Sequence, residues 1–169
     1  MNIDDKASKS KKQITLTVNG AMFTRDVFPH MTLAEFLREE LKLTGTKVGC
    51  NRGECGSCTV ILDGHSVYAC TMLAVEAGGK SVQTIESLSV GDKLHPIQQA
   101  FIDQDALQCG YCSPGMIMSV KNLLDRTVKP TEDDVRCAID GNFCRCGSYQ
   151  NIIKAAIDAS DKTADPDRS

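Results

Sequence analysis

The run Gly49-Cys50-Asn51-Arg52-Gly53-Glu54-Cys55-Gly56-Ser57-Cys58 carries three cysteines, separated first by four residues and then by two. A fourth cysteine, Cys70, follows twelve positions after Cys58. This C-x4-C-x2-C spacing with one distant cysteine is typical of a [2Fe-2S] site held by four thiolates. We therefore predict an iron-sulfur site formed by a glycine-rich loop and one distant ligand.

A second group of cysteines lies in the C-terminal half of the chain, with a long gap inside it. The group consists of Cys109, Cys112, Cys144 and Cys146. Cys112 lies just ahead of a helix predicted from Pro114, and Cys146 just ahead of one predicted near Tyr149. The unpaired N–H groups and positive dipole ends of helix N-termini suit a buried anion. We predict a second [2Fe-2S] site on which two interior helices, arranged side by side, converge.

The glycines of the first loop fit the charge of such a site. An oxidised [2Fe-2S] unit with four thiolates carries about two negative charges and gains another on reduction, so nearby donors must stabilise it. Gly49, Gly53 and Gly56 alternate with the first three cysteines. Glycine accepts a positive φ without steric cost, so the loop is predicted to curl tightly and bring backbone amides close to sulfur.

Disulfides, structural zinc and buried thiols are the alternative interpretations of these cysteines. Nine cysteines in 169 residues fall below the density of a disulfide scaffold, and the odd number argues the same way. Zinc sites usually pair two short cysteine knuckles, and the first group lacks the second knuckle. The second group taken alone is less distinctive, and zinc remains an open alternative there. Cys137, the ninth cysteine, is predicted to be a buried apolar filler of a helix.

Composition bounds the class of protein. The chain has 41% hydrophobic residues, enough for an ordinary core, and its net charge of -3 predicts no nucleic-acid partner. No run of 18 apolar residues is present, so no membrane span is expected. The polar segment 1–12 lacks the apolar stretch of a secretory signal, and we expect a cytoplasmic location where thiols stay reduced.

The N-terminal half shows the alternation of β-strands. Asn19-Gly20 and Asp63-Gly64 are strong hairpin signals, each between two apolar alternating segments. Thr32 and Glu35 have the spacing of a capping box ahead of a short amphipathic helix over 33–41. We expect strands within 13–27 as a hairpin, at 59–62, at 65–69 and at 81–85.

Beyond residue 92 the apolar period changes from two to about 3.6, which indicates helices. Four are predicted, at 95–103, 113–126, 131–141 and 149–160. The fold class is therefore α+β, with an N-terminal plant-ferredoxin-like β-grasp domain and a C-terminal four-helix domain. The predicted divisions are a flexible tail at 1–12, the ferredoxin-like domain at 13–85, a linker at 86–92, the four-helix domain at 93–160 and a disordered tail at 161–169.

Three motifs together resemble a known family. They are the Cys50 to Cys58 loop, Gln-Cys-Gly-Tyr-Cys at 108–112 and Gly-Asn-Phe-Cys-Arg-Cys-Gly at 141–147. From residue 13 to about 159 the chain resembles the small iron-sulfur subunit of the xanthine oxidase family of molybdenum hydroxylases. That family includes aldehyde oxidoreductases, aerobic carbon monoxide dehydrogenases and N-heterocycle hydroxylases.

The resemblance implies an electron-transfer subunit of an oxidoreductase complex, with no catalytic residues of its own. A large subunit would hold a molybdopterin cofactor and oxidise an aldehyde or N-heterocycle. The helical-domain cluster would lie nearer molybdenum, and the ferredoxin-like cluster would pass electrons to an FAD-binding medium subunit or another acceptor. Gln108 and Cys146 match the positions that contact the pterin. The alternatives are a free-standing two-cluster carrier and a zinc-stabilised interaction module.

Overall fold

The architecture comes from a computed structural model, which describes residues 10–164. A five-stranded sheet occupies the N-terminal half, and four longer helices occupy the rest. The elements are β1 (Lys12–Val18), β2 (Ala21–Val27), α1 (Leu33–Glu35) with a π-helical extension (Phe36–Glu40), β3 (Thr59–Leu62), β4 (His65–Tyr68), β5 (Ser81–Gln83), α2 (Pro96–Asp103), α3 (Ser113–Leu124), α4 (Glu132–Ile139) and α5 (Tyr149–Ala164), with 3-10 turns at Ala74–Ala77 and Ile85–Ser87. The predicted α+β fold is confirmed.

The sheet has the strand order β2-β1-β5-β3-β4, in which β1 and β5 pair in parallel and all other neighbours pair antiparallel. Both predicted hairpins are present. Asn19 and Gly20 have φ values of 52° and 82°, and Asp63 and Gly64 have values of 48° and 81°. Two successive positive φ angles are the requirement of the hairpin turn that matches strand twist, which is why these dipeptides fix the register.

The predicted first helix is shorter and wider than expected. Thr32 and Glu35 form the expected capping box, with the Glu35 N–H donating to Thr32 Oγ1 at 3.2 Å and the Thr32 N–H donating to Glu35 Oε2 at 2.8 Å. After one α-helical turn the chain widens, and the Leu41 N–H bonds to the carbonyl of Phe36, five residues back. Phe36 and Leu37 are fully buried against the sheet.

Strand β3 is buried along its whole length because it is covered on both faces. Val60 and Leu62 belong to the core of the sheet and α1, whereas Ile61 packs into the core of the four helices. Successive side chains of a strand point to opposite faces, so α3 must lie across the face of the sheet opposite α1. The two halves of the chain therefore share an interface across strand β3, which lies between β5 and the edge strand β4.

Four helices follow the sheet as predicted, although α3 and α4 each end two residues before their predicted limits and the ends of β5 and α5 also differ. β5 ends at Gln83, two residues early, because Asn19 bonds both the N–H and the hydroxyl of Thr84 and turns the chain away. α5 continues to Ala164, so the disorder predicted from residue 161 is wrong for Asp161 to Ala164. β1 begins at Lys12, so the flexible tail predicted for 1–12 is wrong at that residue, and positions 1–9 and 165–169 of the two predicted tails lie outside the described residues. The domain limits as a set stay a prediction.

The expectation that two interior helices lie side by side holds only in part. α3 and α5 touch, but α5 packs most extensively on α2, and α3 packs on β3 and α4. The prediction for Cys137 is wrong, since this cysteine is exposed on α4. Val135 and Ile139, four residues apart, take the core-facing positions of α4, which leaves Cys137 between them facing solvent. None of the helices within 10–164 reaches the length and hydrophobicity that a membrane crossing requires.

The capping box of α4 gives a test of local stability. Thr131 Oγ1 accepts the Asp134 N–H at 3.2 Å, and Asp134 Oδ2 accepts the Thr131 N–H at 2.8 Å. We expect Thr131→Ala to lower the free energy of unfolding by about 1 kcal/mol, because it removes the capping acceptor. Thermal unfolding measures the change, with the exposed Ser66→Ala on β4 as the control expected to stay within about 0.5 kcal/mol. Equal midpoints for both variants would contradict the assignment.

Candidate metal centres

The first ligand loop is shaped by backbone angles that few residues adopt. Asn51, Gly53 and Gly56 have φ values of 55°, 79° and 64°, so the chain reverses repeatedly between the cysteines. Gly49, predicted to share this freedom, is not among the residues with positive φ. Space disfavours a larger residue there instead, because a Cβ would lie 3.0 Å from Cys55 Sγ, closer than an ordinary van der Waals contact.

The predicted ligands come together as four pairs of thiols, two in each half of the chain. The pairs in contact are Cys50 with Cys55, Cys58 with Cys70, Cys112 with Cys144, and Cys109 with Cys146, the last at 3.6 Å between sulfurs. A [2Fe-2S] unit held by four cysteines needs two thiolates on each iron. One pair for each of four irons is therefore what two such units require.

The cysteines are free thiols, including the exposed Cys137 that belongs to no pair. Over residues 10–164, no three cysteine, histidine or carboxylate groups form a set that could hold one metal ion. A diiron unit does not need such a set, because its two ligand pairs bind different irons. The fit to iron and sulfide is therefore judged from the hydrogen-bond donors around the sulfurs.

Two backbone N–H groups donate to Cys50 Sγ, on the solvent side of the first site. The N–H groups of Arg52 and Glu54 lie 3.4 Å and 3.3 Å from Cys50 Sγ. The Arg52 N–H is the main reason that the pKa of Cys50 falls from 9.0 to about 6. At Cys58, which is 2% exposed, burial raises the pKa to about 12. The loop thus supplies donors on the solvent side and an apolar wall on the inner side.

The second site lies at the starts of two helices, as the sequence predicted. Cys112 is the N-cap of α3, and α5 begins three residues after Cys146. Burial opposes ionisation of Cys144, but hydrogen bonds from the Ser148 N–H, the Cys112 thiol and further backbone N–H groups outweigh it and lower the pKa of Cys144. The Tyr111 N–H lowers the pKa of Cys109. Backbone N–H groups in the residues just ahead of α3 and α5 are thus directed at sulfur.

Ser148 carries a further sign of a missing acceptor. Its hydroxyl is buried, with the residue 7% exposed, and has no hydrogen-bond partner among the described residues. A buried hydroxyl without a partner costs about 1–3 kcal/mol, so such groups are rare. Ser148 directly precedes α5, and its N–H already serves Cys144. Both this orphan hydroxyl and the converging amides fit a bound sulfur-rich anion at the second site.

The two ligand loops face each other across one cavity. Its volume is about 250 Å³, and cysteines of both groups line it: Cys50, Cys55, Cys109, Cys112 and Cys144. The Phe143 N–H donates to the carbonyl of Cys55 at 2.9 Å, so a ligand of one site is bonded to the neighbour of Cys144 in the other. Tyr111 Oη adds a second link by donating to the carbonyl of Val48 at 2.8 Å.

The Asn142 side chain connects the first ligand loop to α3, and the sequence did not identify this residue as functional. Its Nδ2 donates to the carbonyl of Gly56 at 2.9 Å, while its Oδ1 accepts the Ser119 hydroxyl at 2.7 Å. The residue is 4% exposed. An asparagine between a glycine and a cysteine motif was the only available signal, and its partner 86 positions away could not be inferred from it.

The two sites differ in their most exposed ligands. Each site has buried cysteines, Cys58 and Cys70 in the first and Cys144 in the second, but only the second has exposed ones, Cys109 and Cys146. Around these exposed sulfurs Tyr111 is 48% and Phe143 53% exposed. Gln108, which the family resemblance predicts to contact the pterin, is exposed on the same stretch of chain as Cys109. The second site thus opens onto a partly apolar surface, named here the apolar rim of Tyr111 and Phe143.

Comparison with known proteins supports two iron-sulfur domains. Residues 16–81 match the family described as 2Fe-2S iron-sulfur cluster binding domain, and residues 84–157 match the [2Fe-2S] binding domain. The chain is 48% identical to 6-hydroxypseudooxynicotine dehydrogenase complex subunit beta of Paenarthrobacter nicotinovorans, covering 87% of this chain and 92% of that one. It is 43% identical to an aldehyde oxidoreductase iron-sulfur-binding subunit of Escherichia coli (strain K12), covering 87% and 71%. The crystal structure of quinoline 2-oxidoreductase from Pseudomonas putida 86 superposes with a TM-score of 0.88 at 42% identity, covering 91% and 96%.

Proposed function

The chain belongs to the small [2Fe-2S] subunits of the xanthine oxidase family of molybdenum hydroxylases, and from this premise we propose a path for its electrons. They enter from a molybdopterin-bearing large subunit at the second site and leave from the first site to an FAD-binding subunit or another acceptor. The organic substrate is an aldehyde or an N-heterocycle. A cytoplasmic location is part of the proposal, since clustered free thiols persist in a reducing compartment.

The observation that carries this proposal is the direct junction of the two ligand loops. When bound, the two clusters supply reversible one-electron chemistry. The eight cysteines would hold them: Cys50, Cys55, Cys58 and Cys70 in one half, Cys109, Cys112, Cys144 and Cys146 in the other. The hydrogen bond from Phe143 to the carbonyl of Cys55 joins the two sets without an intervening side chain. Both sets also border the same cavity.

The entry side is proposed to be the exposed part of the second site. Cys109 and Cys146 are open to solvent in this chain, which favours a partner surface that covers them. Gln108 carries both a donor and an acceptor, and with Cys146 it is proposed to contact the pterin. The apolar rim of Tyr111 and Phe143 supplies aromatic anchors of the kind enriched at the centre of protein interfaces.

The exit side is proposed to be the outer face of the first loop. Arg52 and Glu54 pair at 2.8 Å with side chains 72% and 64% exposed, directly beside the half-buried Cys50. An acceptor subunit can therefore approach this sulfur through a thin polar layer. The opposite wall, made by Cys58 and strand β3, is buried and offers no such approach.

A matched pair of variants tests the entry side. We expect Phe143→Asp to weaken binding to the large subunit by about 2 kcal/mol or more, because a charge replaces an aromatic anchor. The backbone N–H of residue 143 is kept, so both clusters should remain visible by electron paramagnetic resonance. Co-purification with a tagged large subunit, with molybdenum and iron measured in the eluate, gives the result.

The control is Val128→Asp, which makes the same kind of change at a side chain 71% exposed. Val128 follows the C-terminal end of α3, about 18 Å along the helix from the second site, and should leave recovery of the complex unchanged. Equal recovery of both variants would contradict the proposed entry side. A chain that carries both clusters but never recovers molybdenum would favour the free-standing carrier, and a colourless chain the zinc module.

A further inference from the structure

We propose that the hydroxyl of Ser57 donates a hydrogen bond to the Cys55 thiolate and raises the reduction potential of the first cluster. The inference rests on the proposed ligation by Cys55. Ser57 Oγ and Cys55 Sγ lie 3.6 Å apart. Sulfur is larger than oxygen, so this separation is a hydrogen-bond contact when sulfur is the acceptor.

The direction of the hydrogen bond follows from the ligand's charge. A free thiol at Cys55 has its own proton to donate, but a thiolate bound to iron has none. With Cys55 ionised, the only proton between the two atoms is that of the serine hydroxyl. Within residues 10–164, the only hydrogen-bond partner of this hydroxyl is Cys55 Sγ, so no other acceptor competes for its proton.

The serine is held in place by the helical half of the chain. Ser57 is 4% exposed, and Gly115 of α3 packs against its backbone so closely that a Cβ on Gly115 would lie 3.0 Å from Ser57 Cα. The carbonyl of the preceding Gly56 accepts from Thr59 Oγ1 at 2.7 Å and from Asn142 Nδ2 at 2.9 Å. The backbone that carries this buried hydroxyl is therefore fixed beside the sulfur.

The effect on potential follows from charge. Reduction adds one electron to a cluster that is already anionic, and a hydrogen bond to its sulfur stabilises the more negative state more strongly. The backbone N–H groups of Arg52 and Glu54 also donate to a sulfur of this loop. The Ser57 hydroxyl differs from them because it is buried, and solvent screens the field of a buried dipole least. Removing it should therefore make the first cluster harder to reduce and leave the second unchanged.

The test is the potential dependence of the two paramagnetic signals in the assembled complex. In Ser57→Ala we expect the ratio of reduced to oxidised first cluster, measured at a fixed potential near its midpoint, to fall about tenfold. This change corresponds to a midpoint potential lower by about 59 mV for a one-electron couple. Ser66→Ala, an exposed serine on β4, should leave both signals at wild-type potentials. Ser57→Thr keeps the hydroxyl and should restore the first potential.

Proton measurements give a second readout on the same samples. Electron-nuclear double resonance of the first cluster in H2O and D2O should show one exchangeable proton fewer in Ser57→Ala than in Ser66→Ala. An unchanged potential in Ser57→Ala, a shift of both clusters, or loss of the first cluster from that variant would overturn the inference. Absence of the first cluster from the wild-type complex would instead contradict the proposed function.

Discussion

Cys112→Ser is expected to remove the helical-domain cluster and leave the ferredoxin-like cluster in place. Cys112 pairs with Cys144 and caps α3, so no other described thiol is positioned to replace it. A serine hydroxyl at this half-buried position is a far weaker ligand than a thiolate, because burial also disfavours its ionisation. Iron and acid-labile sulfide should fall to about half of the wild-type content per chain.

The consequence for the complex is a loss of turnover, because the entry side of the electron path is removed. Electron paramagnetic resonance should show one signal where the wild type shows two. Cys137→Ser is the matched control, since this cysteine is exposed and belongs to no pair. It should keep full iron, both signals and activity. Loss of both signals in Cys112→Ser would show that the two sites do not assemble independently.

Gly115→Ala is expected to destabilise the chain although alanine is the better helix former. In an exposed helix the change would gain about 0.8–1 kcal/mol. Here the new Cβ would collide with the carbonyl oxygen of Gly56 and lie 3.0 Å from Ser57 Cα, both of them backbone atoms that cannot rotate away. Overpacking costs about 1–3 kcal/mol, occasionally more, and the rigid neighbours favour the upper end.

We expect a net loss of about 2 kcal/mol, or roughly 4–8 °C in Tm, by calorimetry. The first cluster should also change its paramagnetic signal, because Gly56 and Ser57 lie between Cys55 and Cys58. Gly78→Ala serves as the control: its φ is -56°, and a Cβ would meet only the carbonyl of Val75 at 3.4 Å. A stabilised Gly115→Ala protein would disprove the close packing of α3 on the ligand loop.

Prediction from sequence succeeded where the signal is local. The Asn19-Gly20 and Asp63-Gly64 turns, the capping boxes at Thr32 and Thr131, and the starts of the four helices depend on neighbouring residues, and the structure contains all of them. Element ends were less certain. β5 ended early because Asn19, 65 positions away, captures Thr84.

Burial was the less predictable property. Cys137 was expected inside and lies outside, because the choice between faces of α4 depends on which apolar side chains the neighbouring helices accept. Strand β3 appeared as an ordinary sheet strand, yet both of its faces are covered, and its Ile61 belongs to the helical core. Neither fact is contained in the periodicity of the segment itself.

The order of residues along the chain was enough to predict the ligand chemistry, because eight cysteines in two groups and the motifs around them indicate two iron-sulfur sites, and it also predicted the α+β order of the supporting elements. The folded chain was needed to show which thiols pair, that Asn142, Phe143 and Tyr111 join the two ligand loops, and that the buried Ser57 and Ser148 lie beside Cys55 and Cys144. The two kinds of feature differ in the sequence separation over which their interactions act. Ligand spacing and turn chemistry act over a few residues, whereas a contact such as Asn142 with Gly56 spans 86 positions and exists only once α3 has packed on the sheet.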